Sequence, residues 1–405
     1  ELKDFTNTNK RRKEINMEKK ITRISSFLFA GLTLCSLCAC SDDNGNGGSG
    51  EGEGLKIIPI ASNLADTIPF AYNSVADDVD EAEIIRNYID VIIEPTYKEL
   101  AEGNAELYNT VMNFVNNPTQ DNMDKACDEW IAARKPWECS EAFLFGPVAD
   151  FSLDPSMDSW PLSVQDIKQI LASGETPQSE DVKGYHSLEY LLFSDGESRN
   201  VTSDEEYNAN PAGWRTYMQK VAQLLKEDGQ AAYDWWFTTP YEQYGNKTFS
   251  EYFANTYQNP VGQIIEGCWD ISGEVGDAKI GDPFNYWKDG QHEAALYAVE
   301  SWYSWHSRDD YMNNIRSIKY SYLGNRTEIG AEASENSISN LVRRKLGSDY
   351  DNNMRKLIND AMNAINNIPQ PFRNNIYTDE SYTAMDACSK LTQGLKDMQA
   401  SLGLN

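Results

Sequence analysis

Histidine is almost missing from this chain: three occur in 405 residues, at positions 186, 292 and 306. A centre built from imidazoles alone has little to draw on, so any site must recruit carboxylates. Basic residues are also scarce, 35 Lys and Arg against 63 Asp and Glu, for a formal net charge of −28. Nucleic-acid binding needs a basic face, and this deficit excludes that class of partner. No long hydrophobic run occurs either; the apolar stretch from Phe27 to Leu37 is too short to span a bilayer. After residue 40 there is no CxxC pair, and no G-x-S-x-G elbow, P-loop or dinucleotide-binding fingerprint is present anywhere. His292-Glu293 suggests a zinc-protease helix, but the residue four after His292 is Leu296, so HExxH fails. His292 is expected on the surface.

What is present begins with a leader. Residues 1–16 are polar and read as an upstream mis-start. From Met17, Lys19, Lys20 and Arg23 precede the apolar run and then Leu37-Cys38-Ala39-Cys40, which together make a secretory signal over 17–39. The Leu-Cys-Ala-Cys ending resembles a bacterial lipobox, with cleavage before Cys40 and lipidation of its thiol. That predicts a protein held on a membrane by a lipid anchor rather than spanning it. Ser41-Asp42-Asp43 resembles the acidic export signal of surface lipoproteins, so an outer-membrane, surface-exposed location is expected. Losing residues 1–39 removes eight basic and four acidic residues, leaving −32 over 366 residues. Such acidity attracts cations and favours solubility. Residues 40–77 read as a Gly- and acid-rich tether followed by an irregular segment. Cys127, Cys139, Cys268 and Cys388 could pair outside the cytoplasm, but their spacing assigns no bridges.

Beyond the tether the apolar spacing is helical. Ile84, Ile85, Tyr88, Ile89, Ile92 and Ile93 form one stripe, which Pro95 should kink or end. Leu107, Tyr108, Val111, Met112 and Val115 form a second, closed by Asn116-Asn117-Pro118. Thr119 can cap a third, marked by Ala126, Trp130, Ala133 and Trp137 and stopped at Gly146-Pro147. Further helices are expected over 164–171, 182–193, 214–236, 249–269, 292–322, 338–346, 353–368 and 382–402. Strand alternation is hard to find, so the chain reads as all-α, with Thr238–Lys247 as the handover between an N-terminal helical domain, 78–240, and a C-terminal one, 241–405.

Gly184-Tyr185-His186-Ser187-Leu188-Glu189 places an imidazole and a carboxylate at i and i+3, on one helical face, where both could reach a single ion. Arg134, Glu138 and Glu141 form a second constellation, although Arg134 and Glu138 at i,i+4 equally fit an exposed ion pair. Ser304, His306 and Asp310 could line a cavity, although the aromatic run Trp302-Tyr303-Ser304-Trp305 also suits a core.

Taken in order, Arg134…Trp137-Glu138…Glu141…Phe145-Gly146-Pro147, Trp160-Pro161, Gly184-x-His186-x-x-Glu189, Ser304…His306…Asp310…Asn313-Asn314 and Ile368-Pro369…Pro371-Phe372 resemble the imelysin-like family over nearly the whole chain from residue 78 to 404. The resemblance implies two helical bundles with a cleft between them, in bacterial envelope proteins that include an insulin-cleaving peptidase and proteins found beside iron-uptake systems. It points to His186 and Glu189 as metal ligands, with His306 as a third. Glu138, Glu141 and Arg134 are the catalytic candidates, and Ser304, Asp310 and Gly184 line the cleft. The metal is iron or zinc. Iron binding in iron acquisition, with uptake-system components as partners, is the first expectation. A zinc metallopeptidase and a non-catalytic ligand-binding module are the alternatives; in the last, His186 and Glu189 would serve structure alone.

Overall fold

The structure is a computed structural model that describes residues 54–61, 80–326 and 332–404. The signal segment, Cys40 and the tether through residue 53 lie outside the described residues. Gly54–Asn405 form one compact unit, helical almost throughout. The principal helices are α1 (Glu81–Asn87), α2 (Glu94–Asn116), α3 (Gln120–Glu138), α4 (Gly184–Leu192), α5 (Pro211–Phe237), α6 (Pro260–Glu274), α7 (Ser307–Leu323), α8 (Ser348–Asn367) and α9 (Asp379–Leu402). Among the described residues the only sheet is a hairpin of two two-residue strands, β1 (Phe193–Ser194) and β2 (Glu197–Ser198). No helix there is long and apolar enough to cross a membrane.

Two groups of helices share a continuous core. In the first, α2 lies against α3 and α5, and α4 is wedged between α3 and α5. In the second, α9 packs on α6 and α8, and α8 on α7. Helix α2 follows from its sequence: Tyr97, Leu100, Asn104, Leu107, Val111 and Phe114 recur every three or four residues and are all fully buried. The one polar member is satisfied, since Asn104 donates to the Leu225 carbonyl at 2.9 Å and accepts from the Tyr185 hydroxyl at 2.6 Å. Thr119 caps α3 as its position predicts, accepting from the Asn122 amide. Helix α4 differs from an amphipathic surface helix in that every residue from Gly184 to Leu192 is buried.

Three departures from the sequence reading have local causes. Pro95 does not simply end the first helix. A π-helical turn, Tyr88–Ile93, links α1 to α2 and leaves Pro95 in the first turn of α2, where its missing N–H costs little. The expected 249–269 helix is two, because Asn259 takes a left-handed conformation (φ 54) and its side chain caps Pro260–Glu274. The expected 292–322 helix is also two, His292–Ala298 and α7, separated by the loop Val299–His306. Ser301 (φ 48) and Trp305 (φ 61) stand in the left-handed region there, which a helix cannot contain. His292 is exposed and stacks on Trp287, as expected of a surface residue. Among the described residues Cys127, Cys139, Cys268 and Cys388 are free and buried.

Candidate metal centre

Gly184 opens α4 at φ +85, and a Cβ there would lie 2.3 Å from the Met157 carbonyl oxygen. Only glycine lets this backbone come so close, and the contact sets Asp158, the next residue, beside His186. The imidazole is completely buried. Its Nε2 lies 3.0 Å from Asp158 Oδ1 and 3.3 Å from Glu300 Oε1, and its Nδ1 lies 3.0 Å from Glu189 Oε2. Glu189 uses its other oxygen to accept from both the amide and the hydroxyl of Ser304, each at 2.8 Å. Burial and Arg134 push the imidazole toward neutrality, but Asp158 and Glu189 outweigh them and raise its pKa well above the ordinary value.

Two cations sit among these acids. Arg134, from α3, reaches Asp158 Oδ1 at 2.5 Å, Glu300 Oε1 at 3.0 Å, Asp310 Oδ2 at 2.9 Å and Glu138 Oε1 at 2.7 Å. Lys279 comes from a second π-helical turn, Val275–Ile280, directly after α6. Its ammonium lies 3.3 Å from Glu300, 3.7 Å from Glu141 and 4.0 Å from both Glu138 and Glu274. Trp137 Nε1 donates to the second oxygen of Asp158 at 2.7 Å, and Asn314 to Glu138 at 2.6 Å.

The interior is short of positive charge. Six carboxyls, from Glu138, Glu141, Asp158, Glu189, Glu300 and Asp310, face Arg134, Lys279 and the imidazolium. Three negative charges remain uncompensated if all six ionise, and the acids respond unequally. Burial favours the neutral form of each, but Arg134 and His186 hold Asp158 well below its ordinary pKa, and Lys279 and His186 bring Glu300 down to about 2. Glu138 and Glu141 rise well above the ordinary value, because desolvation exceeds the help from Arg134 and Lys279. Asp154 has surface exposed, but desolvation of its carboxyl by the packed chain, helped by Glu274 and Asp158, raises it to about 7. With the half-exposed Glu274 it carries the acidic network to the surface.

Among the described residues, the sets of three or more His, Cys, Asp or Glu donor atoms lying within 4.8 Å of one another are Asp158–His186–Glu300 and Glu138–Glu141–Asp158. His186, Glu189 and His306 are not brought together as one triad. Glu189 binds the far side of the ring from Asp158 and Glu300, so it orients the imidazole. His306 is the residue before α7, partly exposed, with Nδ1 3.6 Å from Asp309 and Nε2 4.0 Å from Asp310. Ser304 serves Glu189, Asp310 serves Arg134, and Gly184 touches Met157 rather than lining a cavity. Arg134 and Glu138 do pair at i,i+4, but in full burial, not on an exposed face. Sequence reasoning missed Asp158, Lys279 and the role of Glu300. Lys279 left one faint signal, the one cation of the turn Val275–Ile280, flanked by Ala278 and Ile280.

The chain matches the profile of the family described as imelysin over residues 93–398. It belongs to the imelysin family. Among similar proteins, "Iron-regulated protein A" of Synechococcus elongatus is 29% identical over 247 residues, 61% of this chain and 65% of that protein, a little under two thirds of its length. The crystal structure of a protein described as an iron-regulated protein A precursor, from Parabacteroides distasonis, has a TM-score of 0.74 at 32% identity, covering 83% of this chain and 98% of that one. An imelysin-like protein from Psychrobacter arcticum 273-4 superposes with a TM-score of 0.61 at 13% identity, over 82% and 98% of the two chains, a likeness of fold. Against this imelysin frame, the Gly184-x-His186-x-x-Glu189 helix is the buried element on which the acidic network converges.

Proposed function

We propose that this imelysin is a cell-envelope binding protein that takes up a metal ion, iron in its physiological role, between Asp158, His186 and Glu300. The single observation that carries this reading is the convergence of one imidazole nitrogen and two carboxylate oxygens within 4.8 Å in a region with excess negative charge. The donor chemistry fits: imidazole with carboxylates suits iron and zinc, and helical folds build such centres from inward-facing Glu and His. The buried Glu300 Oε2 makes no aligned hydrogen bond, its nearest charged partner being the Lys279 ammonium at 3.3 Å, so the carboxylate keeps lone pairs to offer an ion. Glu189 fixes the ring from behind, as outer carboxylates do for metal-bound histidine. The names of two similar proteins, both iron-regulated, agree with iron as the cargo. Anchoring through Cys40 and delivery to an uptake system complete the reading.

Full burial of His186 favours binding over proteolysis, because a catalytic zinc keeps one position open to water and substrate. The test is equilibrium dialysis of protein lacking residues 1–39 against Fe2+ under anaerobic conditions and against Zn2+, with metal content measured by mass spectrometry. About one ion per chain is expected, lost in His186→Ala and Asp158→Ala. Equal metal content in wild type and both variants would remove the proposal. Cleavage of insulin B chain that vanishes in His186→Ala would favour the peptidase.

A further inference from the structure

The three donor atoms that define the centre already share one partner. Arg134 touches every one of them: Nη1 lies 2.5 Å from Asp158 Oδ1, and Nη2 lies 3.0 Å from Glu300 Oε1 and 3.4 Å from His186 Nε2. A guanidinium is a planar fork of five donors that is always charged, and here it fills the focus that a bound ion would need. We propose that Arg134 is the resident counter-cation of this centre, and that a metal enters by displacing its guanidinium from Asp158 and Glu300 toward Asp310 and Glu138. This inference rests on the metal reading above and specifies how that site is regulated.

The surroundings provide for both positions. The arginine stem is held away from the donors, with Nε 2.9 Å from Asp310 Oδ2 and the guanidinium carbon over the rings of Trp130 (5.6 Å) and Tyr185 (5.5 Å). Because the fork is rigid, its terminal nitrogens leave Asp158 and Glu300 only by a swing of the whole head, for which Asp310 is the near anchor. Two acceptors stand ready: Asp310 Oδ1 is buried without a hydrogen bond, and Glu138 Oε1, 2.7 Å from Nη2, makes a contact without hydrogen-bond alignment. A buried unsatisfied carboxylate oxygen is costly, so turning toward it recovers free energy. Charge also favours retaining the arginine nearby. Binding through Nε2 releases the imidazolium proton, so with all six carboxyls ionised a divalent ion takes the interior from three surplus negative charges to two with Arg134 still present, whereas expelling the guanidinium would return it to three. The inferred device is therefore an exchange of two cations within one acidic cage, which keeps the metal-free protein folded and sets a threshold for loading.

The experiment titrates wild type, Arg134→Lys, Arg134→Gln and His186→Ala with Zn2+ in a chelator-dye competition assay, and locates Zn2+ by anomalous scattering in soaked wild-type crystals. A lysine cannot bridge three donors at once, yet it keeps a positive charge and guards against a failure to fold. Arg134→Lys and Arg134→Gln are expected to bind Zn2+ at least tenfold more tightly than wild type. In the soaked crystals the guanidinium should have left Asp158 and Glu300. Unchanged or weaker binding in Arg134→Lys while His186→Ala loses binding would overturn the counter-cation alone, as would Zn2+ on the triad with all three arginine contacts intact. Binding unaffected by His186→Ala would instead overturn the site, and absence of binding in every variant would overturn both.

Discussion

Gly184→Ala should weaken the fold and the centre together, because the glycine is the point where α4 presses on the segment carrying Asp158. Alanine at φ +85 incurs a backbone penalty of about 1–2 kcal/mol. The larger part is the collision: the new Cβ would sit 2.3 Å from the Met157 oxygen, 2.6 Å from its carbonyl carbon and 3.0 Å from the Ser156 oxygen. Neither side is a flexible side-chain tip, so two backbone segments must separate by about 1 Å to reach ordinary contact. Met157 is fully buried, and that separation opens the core beneath it. Together the effects should cost roughly 3–4 kcal/mol, among the larger single-residue losses. They should lower the melting temperature by roughly 5–10 °C. The matched control is Gly174→Ala, at φ +71 with nothing within 4 Å of the added Cβ, which should cost only the backbone part, about 1 kcal/mol. Urea unfolding of both variants isolates the collision by difference. Equal losses would refute the argument that α4 is held against Met157. An unchanged fold with lost metal uptake would show that the contact positions Asp158 without supporting the core.

Ser304→Ala removes the hydroxyl bond to Glu189 but leaves the amide bond, and should cost about 1–2 kcal/mol in urea unfolding, with looser metal binding as the ring loses its support. Glu300, held down to about 2 from 4.5, contributes stability that is complete above the ordinary carboxylate range and lost as pH falls from about 4.5 toward 2. Melting temperatures of Glu300→Gln should therefore show a shallower acid decline than wild type over that interval. Asp154 has the opposite sign: with its pKa raised from 3.8 to about 7, its ionised form is disfavoured in the folded chain. Asp154→Asn should gain stability relative to wild type as pH rises from about 4 to 7, and the gain should stay constant above that. Dithiothreitol should leave the melting temperature unchanged, since Cys127, Cys139, Cys268 and Cys388 are unpaired.

The helical frame was legible because it obeys short-range rules. The stripe of α2 and the Thr119 cap depend on spacing and on one side chain, and both occur where the sequence places them. Ile338–Leu346 appears with its predicted bounds. The loop Val299–His306 was not legible, because Trp302 and Trp305 keep a helical spacing while the left-handed turns at Ser301 and Trp305 are imposed from outside. Gly196 of the hairpin donates its amide to the Tyr303 carbonyl at 2.9 Å, and its bare Cα faces the Trp305 ring. In the centre, His186 and Glu189 could be found because they share one helix. Asp158 and Glu300 come from segments that meet His186 only in three dimensions, and a lone acid in a chain with 63 of them carries no mark.

The π-helical turn that carries Lys279 has an evolutionary corollary. Such a turn is equivalent to a single inserted residue, and each residue of an α-helix advances the side-chain direction by about 100°. A homologue lacking one position within Val275–Ile280 would run smoothly from α6 into Gly281–Lys288, yet would aim its lysine away from Glu141 and Glu300. Length variation at this one turn is thus a switch between two kinds of descendant, those with an ammonium among the acids and those without, detectable in an alignment as a one-column gap.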